Sequence, residues 1–375
     1  MQDTPTLIIG ASFAGLATAA ALQRRGLPFV LIEKAAGVGA PWHQHYERLH
    51  LHTHKEFSHL PFRKFPAATP RYPSRQEVVD YLEDYARALQ LQPLFDTEAL
   101  SITYKDGRWF TATDQRTFVS DNLVMATGAF SKPRPVAFPG LSSFTGDVMH
   151  SHEYRNAKAY AGKAVLVVGF GNSACEIAMD LAEQGAKPAM AVRSPVNIVP
   201  RDVLGVPVVT LSWMMRNLSP HVADAISAPL MHLLIGDVQD LGLQAMPYGP
   251  LEQIQRDGKA PVLDMGVVRM IRRGQIGIYD DVDHLEGHTV FFKGGEAARF
   301  DAIIAATGYE PNHKELLQVG PERFDDLRNP VSKQAYFGKD GLYFCGYWIS
   351  PTGQIHEISS DALSIAAAIA KKAGH

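Results

Sequence analysis

The chain has 375 residues, of which 46% are apolar and 20% charged, with a formal net charge of −3. That length exceeds one comfortable hydrophobic core, so two domains are expected, and a chain with no basic field is not built for nucleic acid. Its two cysteines, Cys175 and Cys345, stand far apart with no Cys-x-x-Cys pair. This argues against a disulfide framework or dithiol centre and for a reducing, cytoplasmic setting.

The run Thr6–Leu22 is apolar, but nothing basic precedes it, glycines interrupt it and Arg24-Arg25 closes it. It reads as strand, tight turn and helix rather than as a leader or an integral membrane segment. Residues 6–10 fit a buried parallel strand, 14–25 an Ala- and Leu-rich helix, and Phe29–Glu33 a second strand, which together make a βαβ unit. At its turn lies Gly10-Ala11-Ser12-Phe13-Ala14-Gly15, a G-x-G-x-x-G fingerprint with Ser12 at the second glycine. Glu33 stands at the ribose position, where a carboxylate accepts hydrogen bonds from a 2′-hydroxyl.

The segment His43–His59 holds six of the chain's 15 histidines. His50, His52 and His54 alternate, so on a strand they would share one face. That face suits a pocket wall that donates hydrogen bonds or shuttles protons. The alternatives are a satisfied half-buried strand and a metal site. Zinc ligands more often come as spaced His/Cys sets, so no metal is expected.

Two apolar strands end alike, at Ala126-Thr127-Gly128 and Ala306-Thr307-Gly308. Strand-end glycines let a nucleotide approach the backbone where a Cβ would collide. The βαβ cadence returns with Ala164–Val168, a helix over 173–184 and a strand Ala189–Arg193. Its turn is Gly169-Phe170-Gly171-Asn172-Ser173-Ala174, about 160 residues after the first. Here the ribose position is a cation, Arg193, followed by Ser194. Arg accommodates a 2′-phosphate, although a surface cation at a strand end is the plainer alternative. The chain reads as holding two dinucleotides, FAD at the first turn and NADPH at the second, which points to a redox enzyme.

The expected fold class is α/β, with two Rossmann-like dinucleotide-binding domains and the NADPH domain inserted into the FAD domain. The FAD domain would take 1–155 and 309–375, and the NADPH domain 156–308, with Lys132-Pro133-Arg134-Pro135 and the loop after Gly308 as crossings. Residues 203–250, apolar and broken by Gly and Pro, are expected to form a helical insertion. It would cap a substrate pocket or form an oligomer interface, as in a homodimer. A membrane-facing surface is less favoured, because no 18-residue apolar stretch lacks a breaker or a charge.

Several motifs resemble those of the flavin-containing monooxygenases, and within them the YUCCA-like branch that acts on indole-3-pyruvate. Phe144-Thr145-Gly146-Asp147-Val148-Met149-His150 with Tyr154 is similar to that family's signature between the two fingerprints. Ala306-Thr307-Gly308-Tyr309, Tyr72-Pro73-Ser74-Arg75 and Pro261-Val262-Leu263-Asp264-Met265-Gly266 resemble further family segments. Two positions depart: His52 stands where many members carry Asn ahead of Lys55, and Ser350-Pro351-Thr352-Gly353-Gln354 matches loosely.

The resemblance implies an FAD- and NADPH-dependent monooxygenase in which a C4a-(hydro)peroxyflavin, formed with O2, oxygenates a small molecule. The substrate would be a nitrogen or sulfur nucleophile, or a 2-oxo acid such as an indole-3-pyruvate-like compound. An NADPH-dependent flavin reductase or oxidase without productive oxygenation is the alternative. The expected cofactor-binding residues are Gly10, Ser12, Phe13, Ala14, Gly15, Glu33, Lys34, Trp42, Ala126, Thr127, Gly128, Gly169, Gly171, Asn172, Ser173, Glu176, Arg193, Ser194, Thr307, Gly308 and Gly346. His52, Lys55 and Gln354 are the candidates for the flavin and oxygen pocket.

Overall fold

The computed structural model describes residues 1–318 and 338–374. The chain divides into two compact units, one of Met1–His43, Thr53–Lys132 and Tyr309–His375, the other of Gln44–His52 and Pro133–Gly308. Residues 319–337 of the expected return segment, with His375, lie outside the described residues.

In the first unit, β1 (Gln2–Ile9) runs into α1 (Phe13–Arg24) and then β2 (Val30–Ile32), the βαβ unit expected at the first fingerprint. Helix α2 (Arg75–Ala88) follows, started by a capping box. The Ser74 hydroxyl accepts from the Glu77 amide while the Glu77 carboxylate accepts from the Ser74 amide, so part of the Tyr72–Arg75 motif is a helix start. Strands β3 (Ala99–Lys105), β4 (Arg108–Thr113) and β5 (Thr117–Met125) form an antiparallel meander. β5 turns its other edge to β1, in parallel, so the sheet reads β2-β1-β5-β4-β3.

The second unit is a sheet of five parallel strands. It is built from β6 (Asp147–His150), β7 (Ala164–Val168), β8 (Lys187–Ala191), β9 (Gly277–Tyr279) and β10 (Ala302–Ala305), in the order β9-β8-β7-β10-β6. Helix α3 (Asn172–Glu183) joins β7 to β8. The nearly uninterrupted apolar runs of β7 and β10 are what a parallel strand covered on both faces requires. Because β6 pairs with β10, residues 133–155 pack with the second unit, whereas the sequence reading took them with the first. Gly146 explains part of the signature here: a Cβ on it would lie 2.4 Å from the Asp301 carbonyl oxygen. The region 203–250 opens on a short antiparallel strand pair, Asp202–Val203 with Val206–Pro207, and continues with the helix Val208–Met214 and α4 (Pro220–Ile235).

The chain then rejoins the first unit with β11 (Leu342–Phe344), which pairs in parallel with Leu123–Met125 at the C-terminal end of β5, and continues to α5 (Gln354–Lys372). α5 buries Ile358, Ala362, Ile365 and Ile369, a stripe at helical spacing, against α1. α1 is buried from Phe13 to Leu22 on every face, which its run of alanines permits, because small side chains let neighbours approach closely. No helix among the described residues is long and apolar enough to cross a membrane.

Gly15 is the tightest demand on this arrangement that a single substitution can test. A Cβ there would lie 1.7 Å from the Gly10 carbonyl oxygen, whereas one on Gly37 would meet nothing within 4 Å. Gly15→Ala is therefore expected to destabilise the chain by about 3 kcal/mol or more, and Gly37→Ala by less than about 1 kcal/mol, in urea unfolding.

Candidate active site

The first fingerprint is a strand end and a helix start forced together. Gly10 has φ +101°, and a Cβ on it would lie 2.8 Å from the Ala126 carbonyl oxygen, so L-residues are excluded by both conformation and space. Ser12 is the N-cap of α1 but makes no side-chain cap bond, so no side chain competes for the helix's first N–H groups. The Glu33 carboxylate accepts from the Ala11 amide at 2.7 Å and the Ala35 amide at 3.0 Å. It thereby ties the end of β2 to the glycine turn, and each oxygen keeps a further lone pair for a ribose hydroxyl. Trp42 packs edge-on against Phe13, centroids 5.9 Å apart, and Lys34 is exposed.

The second strand end of this unit is organised differently. The Thr127 hydroxyl bonds the Asn312 side chain at 3.0 Å and the Tyr347 hydroxyl at 2.6 Å, with Ala126 donating to Ile9. Burial raises the Tyr347 pKa, so its phenol stays protonated. Gly128 has φ +78°, and a Cβ on it would meet nothing within 4 Å. Gly346 is tight instead, a Cβ being 2.9 Å from Ile358. Gln354 opens α5, donates to the Gly346 carbonyl at 2.9 Å, and leaves its buried Oε1 without a hydrogen-bond partner among the described residues.

The second fingerprint repeats the first with one opening. Gly169 has φ +121° and would place a Cβ 2.6 Å from the Ala306 carbonyl oxygen. Gly171, the uncapped N-cap of α3, has nothing within 4 Å of its Cβ position, and neither has Gly308. The Thr307 hydroxyl is buried with no partner among the described residues. Arg193 and Ser194, just past β8, are exposed, and Arg193 forms no ion pair among the described residues. Free glycine faces, uncapped helix starts and orphaned polar atoms are what a pyrophosphate and its neighbouring groups would occupy, so the residues of both turns fit a dinucleotide.

The face of α3 carrying Glu176, Asp180 and Glu183 bears a row of acids at helical spacing. The His52 Nε2 hydrogen-bonds the Glu176 carboxylate. Arg48 bonds Glu183 at 2.8 Å and lies 4.0 Å from Glu176. Tyr154, from the family-like signature, donates to Asp180 at 2.6 Å, and its pKa is raised by burial and by that bond. Gln44–His52 thus packs with the second unit although its neighbours in sequence pack with the first. His150, from the same signature, accepts the His152 amide at Nδ1 and donates from Nε2 to the Gly308 carbonyl, which fixes its tautomer. Burial pulls its pKa below the ordinary 6.5, with the Gly308 bond and Glu153 opposing and His152 assisting.

This geometry corrects one expectation and gives three candidate site residues their side-chain partners. His50, His52 and His54 do not share a strand face, because the chain bends over 51–54. His52 goes to Glu176, His50 bonds the Arg48 carbonyl, and His54 caps the short helix Lys55–Phe57. Lys55 directs its ammonium to the carbonyls of Pro66, Ala67 and Thr69, which staples that loop. Glu176 is 1% exposed; one carboxylate oxygen engages His52, and the other is buried without a hydrogen-bond partner among the described residues. The Asn172 side chain clamps the Pro261 carbonyl and Leu263 amide, tying the Pro261–Gly266 motif to the start of α3. Sequence reasoning missed Arg48, Asp180, Asn312 and Tyr347. Only the acids of α3 carried a signal, their spacing along one face of an otherwise apolar helix.

The protein-family profile described as pyridine nucleotide-disulphide oxidoreductase matches residues 7–203. The indole-3-pyruvate monooxygenase YUCCA4 of Oryza sativa subsp. japonica is 36% identical, over 92% of this chain and 83% of its own. Among solved structures, the flavin-containing monooxygenase from Stenotrophomonas maltophilia superposes with a TM-score of 0.75 at 19% identity, covering all of both chains. An oxidized steroid monooxygenase bound to NADP superposes at 0.77 and 20% identity, over all of this chain and 86% of its own.

Two outcomes follow for the buried charges. The Glu176 side chain is 1% exposed and that of His52 24%, so the acid is the partner that cannot turn to water. His52→Ala is expected to destabilise the chain by about 3 kcal/mol and Glu176→Gln by about 1 kcal/mol, because only the first strands a buried charge. Equal losses in urea unfolding would contradict this. For His150, the unfolded chain takes up a proton below the ordinary 6.5 that the folded chain resists. Its contribution to stability is thus full above pH 6.5 and lost as pH falls through the lower folded value. His150→Gln should flatten the acid limb of the unfolding midpoint against pH, and an unchanged limb would contradict the assignment.

Proposed function

The chain belongs to the family of the YUCCA indole-3-pyruvate monooxygenases, and on that premise we propose how its two glycine turns divide the work. It is an NADPH-dependent flavin monooxygenase with FAD and NADPH as cofactors. The observation that carries the division is the pair of similar turns with opposite ribose chemistry, Glu33 at one and Arg193 at the other. FAD belongs to the first turn, where a second carboxylate acceptor suits a bare ribose. NADPH belongs to the second, where the free guanidinium suits a 2′-phosphate.

When bound, the flavin takes hydride from NADPH and, once reduced, activates O2 so that one oxygen atom passes to the substrate. The chain's own contributions are binding, orientation and proton control. The first N–H groups of α1 and α3 bind pyrophosphate, and the helix dipoles add to their field. Gly128, Gly308 and Gly171 admit the nucleotides because nothing fills their Cβ positions. The unpartnered Gln354 Oε1 and Thr307 hydroxyl supply hydrogen bonds at the respective sites. Glu176 holds the His52 Nε2–H, which leaves Nδ1 as the ring atom able to hold or move a proton.

The substrate proposed is a small 2-oxo acid with a flat aromatic group. The balance is then 2-oxo acid, O2, NADPH and a proton giving the carboxylate one carbon shorter, CO2, water and NADP+. The relatives' activity supports this class, as does a histidine in place of the family's usual amide, since it can regulate a proton. The reading extends to a cytoplasmic location, supported by two buried cysteines that form no disulfide among the described residues.

Arg193→Ala tests the division of cofactors. It should lower kcat/KM for NADPH by about 10- to 100-fold, the worth of a charge-assisted phosphate contact, and leave NADH within about 2-fold. Equal losses with both nucleotides would remove Arg193 from the 2′-phosphate site.

A further inference from the structure

α4 carries an apolar ridge that the described residues leave bare. Val222, Ile226, Leu230 and Leu234 follow one another at every fourth residue, all exposed, with Ile226 at 61%. Leu233 beside them is 79% exposed, and Met214 on the helix before α4 is 67% exposed. With Trp213 these side chains show apolar surface on the order of 800 Å², above what a monomer usually leaves bare and close to one partner's share of a standard interface.

We propose that this face is where a second copy of the chain docks, pairing α4 with α4 in antiparallel fashion. Ridges at four-residue spacing interdigitate with each other in the commonest class of helix packing. The ridge is symmetric about residue 228, so a two-fold axis there sets Ile226 against Leu230 of the second copy and Val222 against its Leu234. Charge permits it. Between residues 208 and 235 the only ionisable groups other than histidine are Arg216 and Asp224. Arg216 stacks on the Trp213 ring at 3.9 Å, and Asp224 is buried, accepting from the Leu251 and Glu252 amides. No like charges therefore meet across the axis. A lipid surface fits less well, because helices that lie on bilayers carry cations along their polar side and α4 has neither Lys nor Arg.

Sedimentation velocity of the full, flavin-loaded chain tests this independently of the substrate assignment. The native chain should run as a dimer at micromolar concentration. Ile226→Glu and Leu230→Lys, each alone, should weaken dimerisation by about tenfold or more, because each sets a charge against apolar surface. Both should retain NADPH oxidation, which verifies their folding. An equimolar mixture of the two variants should recover the dimer, since in the antiparallel register each Glu meets a Lys. A native chain that stays monomeric would overturn the proposal, as would a dimer untouched by Ile226→Glu. A monomer that co-sediments with anionic phospholipid vesicles, and loses this through Ile226→Glu, would overturn it in favour of a lipid surface.

Discussion

A methyl group on Gly15 would lie 1.7 Å from the Gly10 carbonyl oxygen, and one on Gly169 would lie 2.6 Å from that of Ala306. This steric allowance is what the cofactor chemistry rests on. A helix can present its first N–H groups at the end of a strand only if the turn between them is short and glycine stands where a Cβ would meet a carbonyl oxygen. When those groups are also left uncapped by Ser12 and Gly171, the helix start suits an anion such as pyrophosphate. The same device appears once in each unit, and the difference lies in what stands beyond it. Glu33 bonds two amides and offers its remaining lone pairs, whereas Arg193 stands exposed and without an ion pair among the described residues.

The back of the second device has its own electrostatics. Glu176, Asp180 and Glu183 face Arg48, His52 and Tyr154, and these contacts hold Gln44–His52 against α3. A row of acids in a half-buried setting would be unfavourable alone. Each acid here has a donor on one oxygen, while the second oxygen of Glu176 is buried without a hydrogen-bond partner among the described residues. The cluster leaves His52 with its Nε2 committed to Glu176.

Much of this was legible from the chain. The βαβ cadence, the two turns and the ribose-position residues depend on local patterns of small, apolar and charged residues, which sequence carries directly. The family-like signature at Phe144–Tyr154 was legible as a motif but not as physics. In space Gly146 clears the Asp301 carbonyl, His150 binds the Gly308 carbonyl and Tyr154 binds Asp180. The alternating histidines misled because periodicity of two implies a strand only where the backbone is extended, and it bends over 51–54. The side-chain partners of Lys55 and Asn172, the 66–69 loop and the 261–263 segment, were not legible either, being remote choices that no local pattern announces. The exposed ridge of α4 was unreadable because an apolar stripe looks the same in sequence whether the fold covers it or leaves it bare.

The most direct measurement is turnover under oxygen-18 gas with NADPH and indole-3-pyruvate, with product, NADPH and peroxide all quantified. One labelled oxygen in each carboxylate product, with one NADPH consumed per product and little peroxide, is the expected result. NADPH oxidation matched by peroxide, with no label in any organic product, would contradict monooxygenation of a 2-oxo acid and leave a flavin-reducing oxidase in its place.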